Sequence, residues 1–282
     1  MINKRRKIVN IPKIKIDDIS IYYEIHGKGN PLIFIMGQGG HVKHFKSSLL
    51  FQDFEMLIFK KFKTIIFDNR GIGQTDDGDK QYTIKTLADD VAGLIDGLKF
   101  SKVNVVGFSM GAMIAQELVI NYPEKIEKLV IGSTHCGRPK YIMPSKETLT
   151  GKSPFQEGVS PEEIIKSQIP LVYSEGFIKT HPNSIDAIIQ NYLSHPVPLE
   201  VYRKQINAVL RFKSHRRLKN IQIPTLILHG KQDFLVPPQN AEILADLIPG
   251  AKLKLFENSG HGLITEQTEA VMNVIIDFMG IN

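Results

Sequence analysis

Short, almost continuous apolar runs recur along this chain of 282 residues and limit the folds that it can adopt. A strand that is apolar on both faces must be covered on both faces, which is typical of the interior of a parallel sheet. Stretches with helical periodicity separate the runs, and this alternation is the pattern of a sheet with helices on both faces. The runs are residues 32–36, 64–67, 102–106, 129–131 and 225–228, with a weaker one at 253–256.

The helical stretches carry apolar residues that return every three or four positions. In residues 83–98, for example, Leu87, Val91 and Leu94 lie on one stripe. Near the N-terminus, two short alternating segments flank residues 17–18 and predict a β-hairpin. We therefore predict an α/β fold with a mostly parallel central sheet. Further helices are predicted at residues 110–121, 238–247 and 266–279.

The alternation of strands and helices stops between residues 134 and 217. More than half of the fifteen prolines fall within residues 139–198, where strand-like runs are nearly absent and the helical pieces are short. We interpret residues 134–217 as a helical cap inserted into the core. The predicted core comprises residues 1–133 and 218–282, of which residues 1–12 form a flexible polar tail.

The net charge of +6 is spread along the chain rather than gathered in one place. A protein that binds nucleic acid needs its basic groups on one surface, so the basic runs at 4–7 and 213–219 are interpreted as solvated faces. No stretch reaches the ~20 apolar residues that span a bilayer. We therefore expect neither a nucleic-acid nor a membrane partner. The single cysteine, Cys136, excludes an internal disulfide and favours a cytoplasmic location, while the oligomeric state is not determined.

A strand, a serine between glycines and a helix follow one another at the centre of the chain. Gly107-Phe108-Ser109-Met110-Gly111 fits the pattern G-x-S-x-G, between the run at 102–106 and the predicted helix from Met110. A sharp turn here would expose the Ser109 hydroxyl at the end of the sheet. The N-terminus of the helix would then face negative charge developing beside it. Ser109 is therefore the candidate nucleophile.

A serine hydroxyl needs a base to take its proton, and the base needs a carboxylate to orient it. His261 lies in a loop of small residues after the run at 253–256, which leaves its imidazole free to reach across the sheet. Asp233 lies in the loop that follows the buried run at 225–228. We predict that His261 is the base and Asp233 the orienting acid.

The order Ser109, Asp233, His261, each in a loop that follows a strand, resembles the α/β-hydrolase fold family, and the resemblance spans almost the whole chain. Residues 68–75 are similar to the D-x-R-G-x-G-x-S turn of that family, which braces the site, and residues 230–237 are similar to its acid loop. The resemblance is to the capped branch with a serine nucleophile, which is carboxylesterase-like.

The family resemblance also implies an oxyanion hole. Residues 36–40, Met-Gly-Gln-Gly-Gly, occupy the position of the oxyanion loop, with Met36 where relatives usually have histidine. The backbone N–H groups implied as donors are those of Gln38 and Met110. Because these are backbone groups, the side-chain change at Met36 affects loop packing more than catalysis.

The activity implied by the resemblance is hydrolysis of a carboxylic ester of a small to medium apolar substrate through an acyl-enzyme. It needs neither a metal nor an organic cofactor. Hydrolysis of a lactone, hydrolysis of a C–C bond and cofactor-free perhydrolysis use the same three residues and stay open. A different class also stays open, a small-molecule sensor that docks onto a partner protein. Candidate substrate-binding residues in the cap are Phe155, Tyr173, Phe177 and Tyr192.

Overall fold

A computed structural model of the chain describes residues 12–146, 148 and 158–280. The predicted tail, apart from Pro12, lies outside this part. The described residues form strands β1 (Lys13–Ile16), β2 (Ile19–His26), β3 (Asn30–Ile35), β4 (Phe62–Phe67), β5 (Val103–Phe108), β6 (Ile126–Gly132), β7 (Thr225–Gly230) and β8 (Lys252–Phe256). They form one eight-stranded sheet in the order β1-β2-β4-β3-β5-β6-β7-β8. The β1–β2 and β2–β4 pairs are antiparallel and all other pairs are parallel, so the fold is α/β with a mostly parallel sheet, as predicted.

Helices surround this sheet, and several begin where the sequence predicts. The Thr83 side chain, for example, accepts a hydrogen bond from the N–H of Thr86 and caps α3 (Ile84–Gly97). The helix predicted at residues 266–279 is α11 (Thr268–Met279), which begins after Gln267 because that residue has a φ of −133°, outside the helical region. The helices are α1 (Val42–Lys46), α2 (Leu49–Asp53), α3 (Ile84–Gly97), α4 (Met110–Asn121), α5 (Pro161–Val172), α6 (Glu175–Thr180), α7 (Pro182–Ser194), α8 (Leu199–Arg211), α9 (Gln239–Leu247), α10 (Leu263–Glu266) and α11 (Thr268–Met279).

The apolar core lies on both faces of the sheet. In β5, Val103 and Val105 pack into the cluster with α3 and α4. Val106 and Phe108 pack into a second cluster with α11. Successive side chains of a strand point to opposite faces, so a strand that is buried throughout supplies both clusters. No helix within the described ranges is both long enough and apolar enough to cross a membrane.

The turn after β4 is held by a buried arginine. The side chain of Arg70 has no exposed area and forms one fork of hydrogen bonds with Asp18 and another with Asp90. Burial opposes the charge of Arg70, but its hydrogen bonds to both carboxylates raise its pKa above the ordinary value. Beside it, Asp68 accepts hydrogen bonds from the N–H groups of Val42 (2.6 Å) and Gln74 (2.8 Å). This turn therefore ties the β1–β2 hairpin, α3 and the start of α1 together.

The chain between β6 and β7 contains helices α5 to α8. Ile169, Tyr173, Ile185 and Ile189 form a small apolar cluster of their own within these helices. By contrast, α8 packs Val201 and Ala208 into the main core. An isolated bridge pairs Gly137 with Lys213 where the chain leaves and re-enters the core. The domain boundaries at 134 and 217 stay a prediction. We refer to helices α5 to α8 and their connections as the cap.

Ser109 lies in a strained turn between β5 and α4. Its φ is 54° and its ψ is −122°, a conformation that L-residues rarely adopt. The turn is tight because backbones approach closely: a Cβ added to Gly111 would lie 2.1 Å from the carbonyl oxygen of Ile35. A Cβ added to Gly107 would lie 2.5 Å from the carbonyl oxygen of Gly111. These two glycines therefore allow α4 to begin directly against the end of β3.

We predict that Gly111→Ala destabilises the protein, because the added methyl group would force the start of α4 away from β3. The cost expected from overpacking of this kind is about 1–3 kcal/mol in the free energy of unfolding, measured by urea denaturation. Gly176→Ala is the matched control, since nothing lies within 4 Å of a Cβ added to this glycine of α6. That variant should be neutral or more stable by up to about 1 kcal/mol. Equal stability of both variants would contradict the close approach.

Candidate active site

Ser109 lies at the end of β5, beside the neighbouring strand β6. Its N–H donates to the carbonyl oxygen of Gly132 (2.9 Å), and its own carbonyl accepts from the hydroxyl of Thr134 (3.1 Å). These bonds hold the backbone on both sides of the strained residue, while the side chain stays partly exposed. The hydroxyl is thus both fixed in position and open to a ligand.

The imidazole of His261 bridges Ser109 and Asp233. His261 Nε2 lies 3.0 Å from Ser109 Oγ, and His261 Nδ1 lies 2.9 Å from Asp233 Oδ2. A carboxylate accepts only, so Nδ1 carries the proton and donates to Asp233. Nε2 is then free to accept the proton of the Ser109 hydroxyl. The structure therefore brings together the three residues that were predicted from separate loops.

The carboxylate of Asp233 is fully buried and held by several donors. Oδ1 accepts from the N–H of Val236 (2.7 Å). Burial by itself would raise the pKa of Asp233, but the nearby charge of His261 and the hydrogen bonds from His229 and His261 lower it to about 2. Asp233 therefore remains ionised wherever His261 can act as a base.

His229 was not singled out from the sequence, although it belongs to this group. Its side chain is fully buried at the end of β7, and its Nε2 lies 2.8 Å from the carbonyl oxygen of Val236 and 3.1 Å from Asp233 Oδ2. Nε2 therefore carries a proton that both acceptors share. The position four residues before Asp233 was the only signal in the sequence. His229 therefore holds the acid loop at Asp233 and Val236.

The predicted oxyanion loop lies against Ser109. A Cβ added to Gly37 would lie 3.4 Å from Ser109 Cβ, so the backbone that leads into Gln38 passes directly beside the nucleophile. Met110 is the first residue of α4, where an N–H has no carbonyl partner within the helix. Met36, which replaces the usual histidine, is buried and packs in the apolar cluster with Phe34. The loop is thus supported by apolar packing.

A glutamate that the sequence analysis did not identify connects the loop of His261 to the cap. Glu266 Oε1 accepts from the N–H of Gly260 (2.8 Å), and Glu266 Oε2 accepts from the N–H (3.1 Å) and the hydroxyl of Ser174, just after α5. In addition, the N–H of Gly262 donates to the carbonyl oxygen of Val172 (2.7 Å). Burial raises the pKa of Glu266. The residues on both sides of His261 are therefore bound to the end of α5.

The four predicted substrate-binding residues of the cap lie in different surroundings. Tyr173 and Phe177 stack on one another with ring centroids 5.6 Å apart, and Tyr173 also packs against Gly262, beside His261. Tyr192 is 39% exposed and lies against His44, with centroids 4.3 Å apart. Phe155 lies outside the described residues. Of these four, the structure brings Tyr173 next to the loop of His261.

Comparison with known proteins identifies the family to which this fold belongs. The family model described as serine aminopeptidase, S33, matches residues 32–268. A poly(3-hydroxyalkanoate) depolymerase of Ectopseudomonas oleovorans is 30% identical, over 88% of this chain and 84% of its own length. A thermophilic esterase from Thermogutta terrifontis has a similar structure, with a TM-score of 0.77, 25% identity and coverage of 95% of this chain and 98% of its own.

A further solved structure is similar in fold. The enol-lactonase of Burkholderia xenovorans LB400 superposes with a TM-score of 0.79 at 20% identity, over 95% of this chain and all of its own. The family model covers far more than half of the chain, and the fold of these structures is the one described above. The chain therefore belongs to the α/β-hydrolase fold family, in the branch described as serine aminopeptidase, S33.

Proposed function

We propose that this protein is a serine hydrolase that cleaves the carboxylic ester of a small to medium apolar substrate through an acyl-enzyme. The observation that carries the proposal is the chain of hydrogen bonds from Ser109 Oγ to His261 Nε2 (3.0 Å) and from His261 Nδ1 to Asp233 Oδ2 (2.9 Å). A nucleophile, a base and an orienting acid within hydrogen-bond reach of one another are what acyl transfer to serine requires.

The reaction would proceed in two halves. As Ser109 Oγ attacks the ester carbonyl, its proton moves to His261 Nε2, and the oxyanion is held by the N–H groups of Gln38 and Met110. The C–O bond to the alcohol breaks as His261 returns the proton to the leaving oxygen. Water then attacks the acyl-enzyme with the same base, releasing the acid and restoring the Ser109 hydroxyl. Asp233 remains ionised and stabilises the imidazolium in both halves.

The similar proteins support cleavage of ester-type bonds. One relative is named a poly(3-hydroxyalkanoate) depolymerase and a similar structure is named an esterase, and both names point to this chemistry. The lactonase name keeps hydrolysis of a cyclic ester as the alternative, since it uses the same attack on a carbonyl. Hydrolysis of a C–C bond uses the same three residues and also stays an alternative, while perhydrolysis and a sensor role are tested by their own outcomes below.

We expect the protein to hydrolyse p-nitrophenyl esters with multiple turnovers, and the Ser109→Ala variant to lose about 10⁴-fold or more in kcat/KM, because the attacking oxygen is removed. Release of p-nitrophenol is the measurement, with acyl chains of increasing length to determine the size of the pocket. Ser101→Ala, a change at an exposed serine in the loop before β5, is the matched control and should retain full activity.

Additional substrates in the same assay distinguish the alternatives. A γ-lactone tests cyclic esters, an aminoacyl p-nitroanilide tests peptidase activity, and peroxide with a carboxylic acid tests perhydrolysis. Absence of any Ser109-dependent turnover, together with tight binding of a small molecule and a change in shape, would contradict the enzyme and favour the sensor. Turnover of esters equal in wild type and Ser109→Ala would contradict Ser109 as the nucleophile.

We expect Asp233→Asn to lower kcat by about 10³–10⁴-fold, because an amide in place of the carboxylate no longer holds His261 in the productive tautomer. The same variant has a pH signature. Since the folded protein lowers the pKa of Asp233 to about 2, its carboxylate stabilises the fold above about pH 4, and this contribution is lost as the pH falls towards about 2.

The difference in unfolding free energy between wild type and Asp233→Asn should therefore shrink by on the order of 2 kcal/mol between about pH 5 and pH 2. Urea denaturation at a series of pH values measures it. Asp246→Asn, at an exposed aspartate of α9, should show no such change. A difference that does not vary with pH would contradict the lowered pKa of Asp233.

A further inference from the structure

A glutamine of the cap binds the oxyanion loop. Gln205 lies in α8 and has no exposed area. Its Oε1 accepts a hydrogen bond from the N–H of Gly39 (3.0 Å). The two residues are 166 positions apart in the sequence. Because Gly39 follows Gln38 directly, this bond brings an amide group of the cap beside the loop that faces Ser109.

Two amide nitrogens at this loop are buried and have no hydrogen-bond partner among the described residues. They are Nε2 of Gln38 and Nε2 of Gln205. An amide NH₂ group that is removed from water without an acceptor is destabilising. At Gln205, exchange of the amide oxygen and nitrogen would not relieve the unpaired group, because Oε1 is required as the acceptor for the N–H of Gly39. The unused group of Gln205 is therefore a donor, and Gln38 presents a second buried amide nitrogen.

The oxyanion loop, which carries Gln38 and binds Gln205, lies next to Ser109. A Cβ added to Gly37 would lie 3.4 Å from Ser109 Cβ, and one added to Gly39 would lie 3.6 Å from Val197 Cγ2, in the connection before α8. The oxyanion loop thus has the nucleophile on one side and the cap on the other. An ester whose carbonyl lies at Ser109 has its acyl chain or its alcohol close to this loop.

The charged groups nearby are already compensated. Both forks of Arg70 are taken by Asp18 and Asp90, and Lys204 of α8 binds Asp77. His41, just after the loop, is buried, and burial lowers its pKa, which keeps it neutral. A carboxylate of the substrate would find no free cation among these groups, and a buried charge without a partner is strongly unfavourable. A neutral oxygen suits two amide donors.

We propose that Gln38 and Gln205 form a subsite that donates hydrogen bonds to a second, neutral oxygen of the substrate, a hydroxyl or carbonyl near the scissile ester. This inference rests on the proposed ester hydrolysis and specifies its substrate class as oxygen-bearing acyl esters. Gln205 also positions the oxyanion loop, so its loss affects every substrate, whereas the subsite affects the choice between substrates.

The test compares p-nitrophenyl 3-hydroxybutanoate with p-nitrophenyl 3-methylbutanoate, which have the same shape but carry a hydroxyl or a methyl group. Rates are corrected for alkaline hydrolysis of each ester. One hydrogen bond of about 0.5–1.5 kcal/mol predicts a kcat/KM for the wild type that is roughly two- to twelvefold higher for the hydroxy ester. The mono-p-nitrophenyl ester of succinic acid tests a carboxylate in the same place.

The variants Gln205→Met and Gln38→Met remove the donors and keep the length of the side chain. In both, the preference for the hydroxy ester should fall towards one, while Gln205→Met also lowers kcat for both esters because Gly39 loses its acceptor. Gln239→Met, at an exposed glutamine of α9, should retain the preference of the wild type. If one variant does not fold, as judged by circular dichroism, the other still decides.

A ratio near one in the wild type, or an unchanged ratio in the variants, would overturn the subsite. A stronger preference for the succinate ester would overturn its neutral character. A binding assay without turnover tests the subsite independently of ester hydrolysis. In it, 4-hydroxy-2-pentanone and 4-methyl-2-pentanone are titrated into the protein by NMR. If the variants weaken only the hydroxy ketone while no ester is hydrolysed, the subsite stands and the ester hydrolase fails. If esters are hydrolysed without discrimination and the variants change the binding of neither ketone, the ester hydrolase stands and the subsite is overturned.

Discussion

The close approach of α4 to the end of β3 is the constraint on which the rest of the site depends. With hydrogen in place of a side chain at Gly111, the backbone of the turn lies against the carbonyl oxygen of Ile35. Ser109 is thereby held at a φ of 54° at the end of a fully buried strand. The start of α4 at Met110 and the loop backbone at Gly37 both adjoin Ser109. Strain in one residue is stable here because the surrounding sheet determines its conformation.

The cap is connected to two parts of the candidate active site at once. Glu266 binds the loop of His261 to Ser174 at the end of α5, and Gln205 of α8 binds the oxyanion loop at Gly39. A displacement of the cap would therefore move both the loop of His261 and the loop that carries Gln38. The proposed reaction thus depends on the position of a segment that contributes none of its three proposed catalytic side chains.

Much of the framework could be predicted from the sequence, because local patterns carry it. The all-apolar run of β5, the glycines around Ser109 and the stripe of α3 each report a conformation that neighbouring residues decide. The central parallel sheet was predicted correctly for this reason. The helix predicted over 266–279 is confirmed as α11, and only its start differs by two residues, since the backbone of Gln267 lies outside the helical region. Helix α8 was not predicted, although its packing anchors the cap.

By itself, the sequence determined the order of strands and helices and the chemical types at three loops, a serine, an aspartate and a histidine. Tertiary structure alone decided the distances between them and the contacts of His229, Glu266 and Gln205. Glu266 and Ser174 are 92 residues apart, and Gln205 and Gly39 are 166 apart. Hydrophobic periodicity reports which face of an element is buried, not what it is buried against. Hydrogen bonds between such distant residues form only when the cap packs onto the ends of the parallel strands.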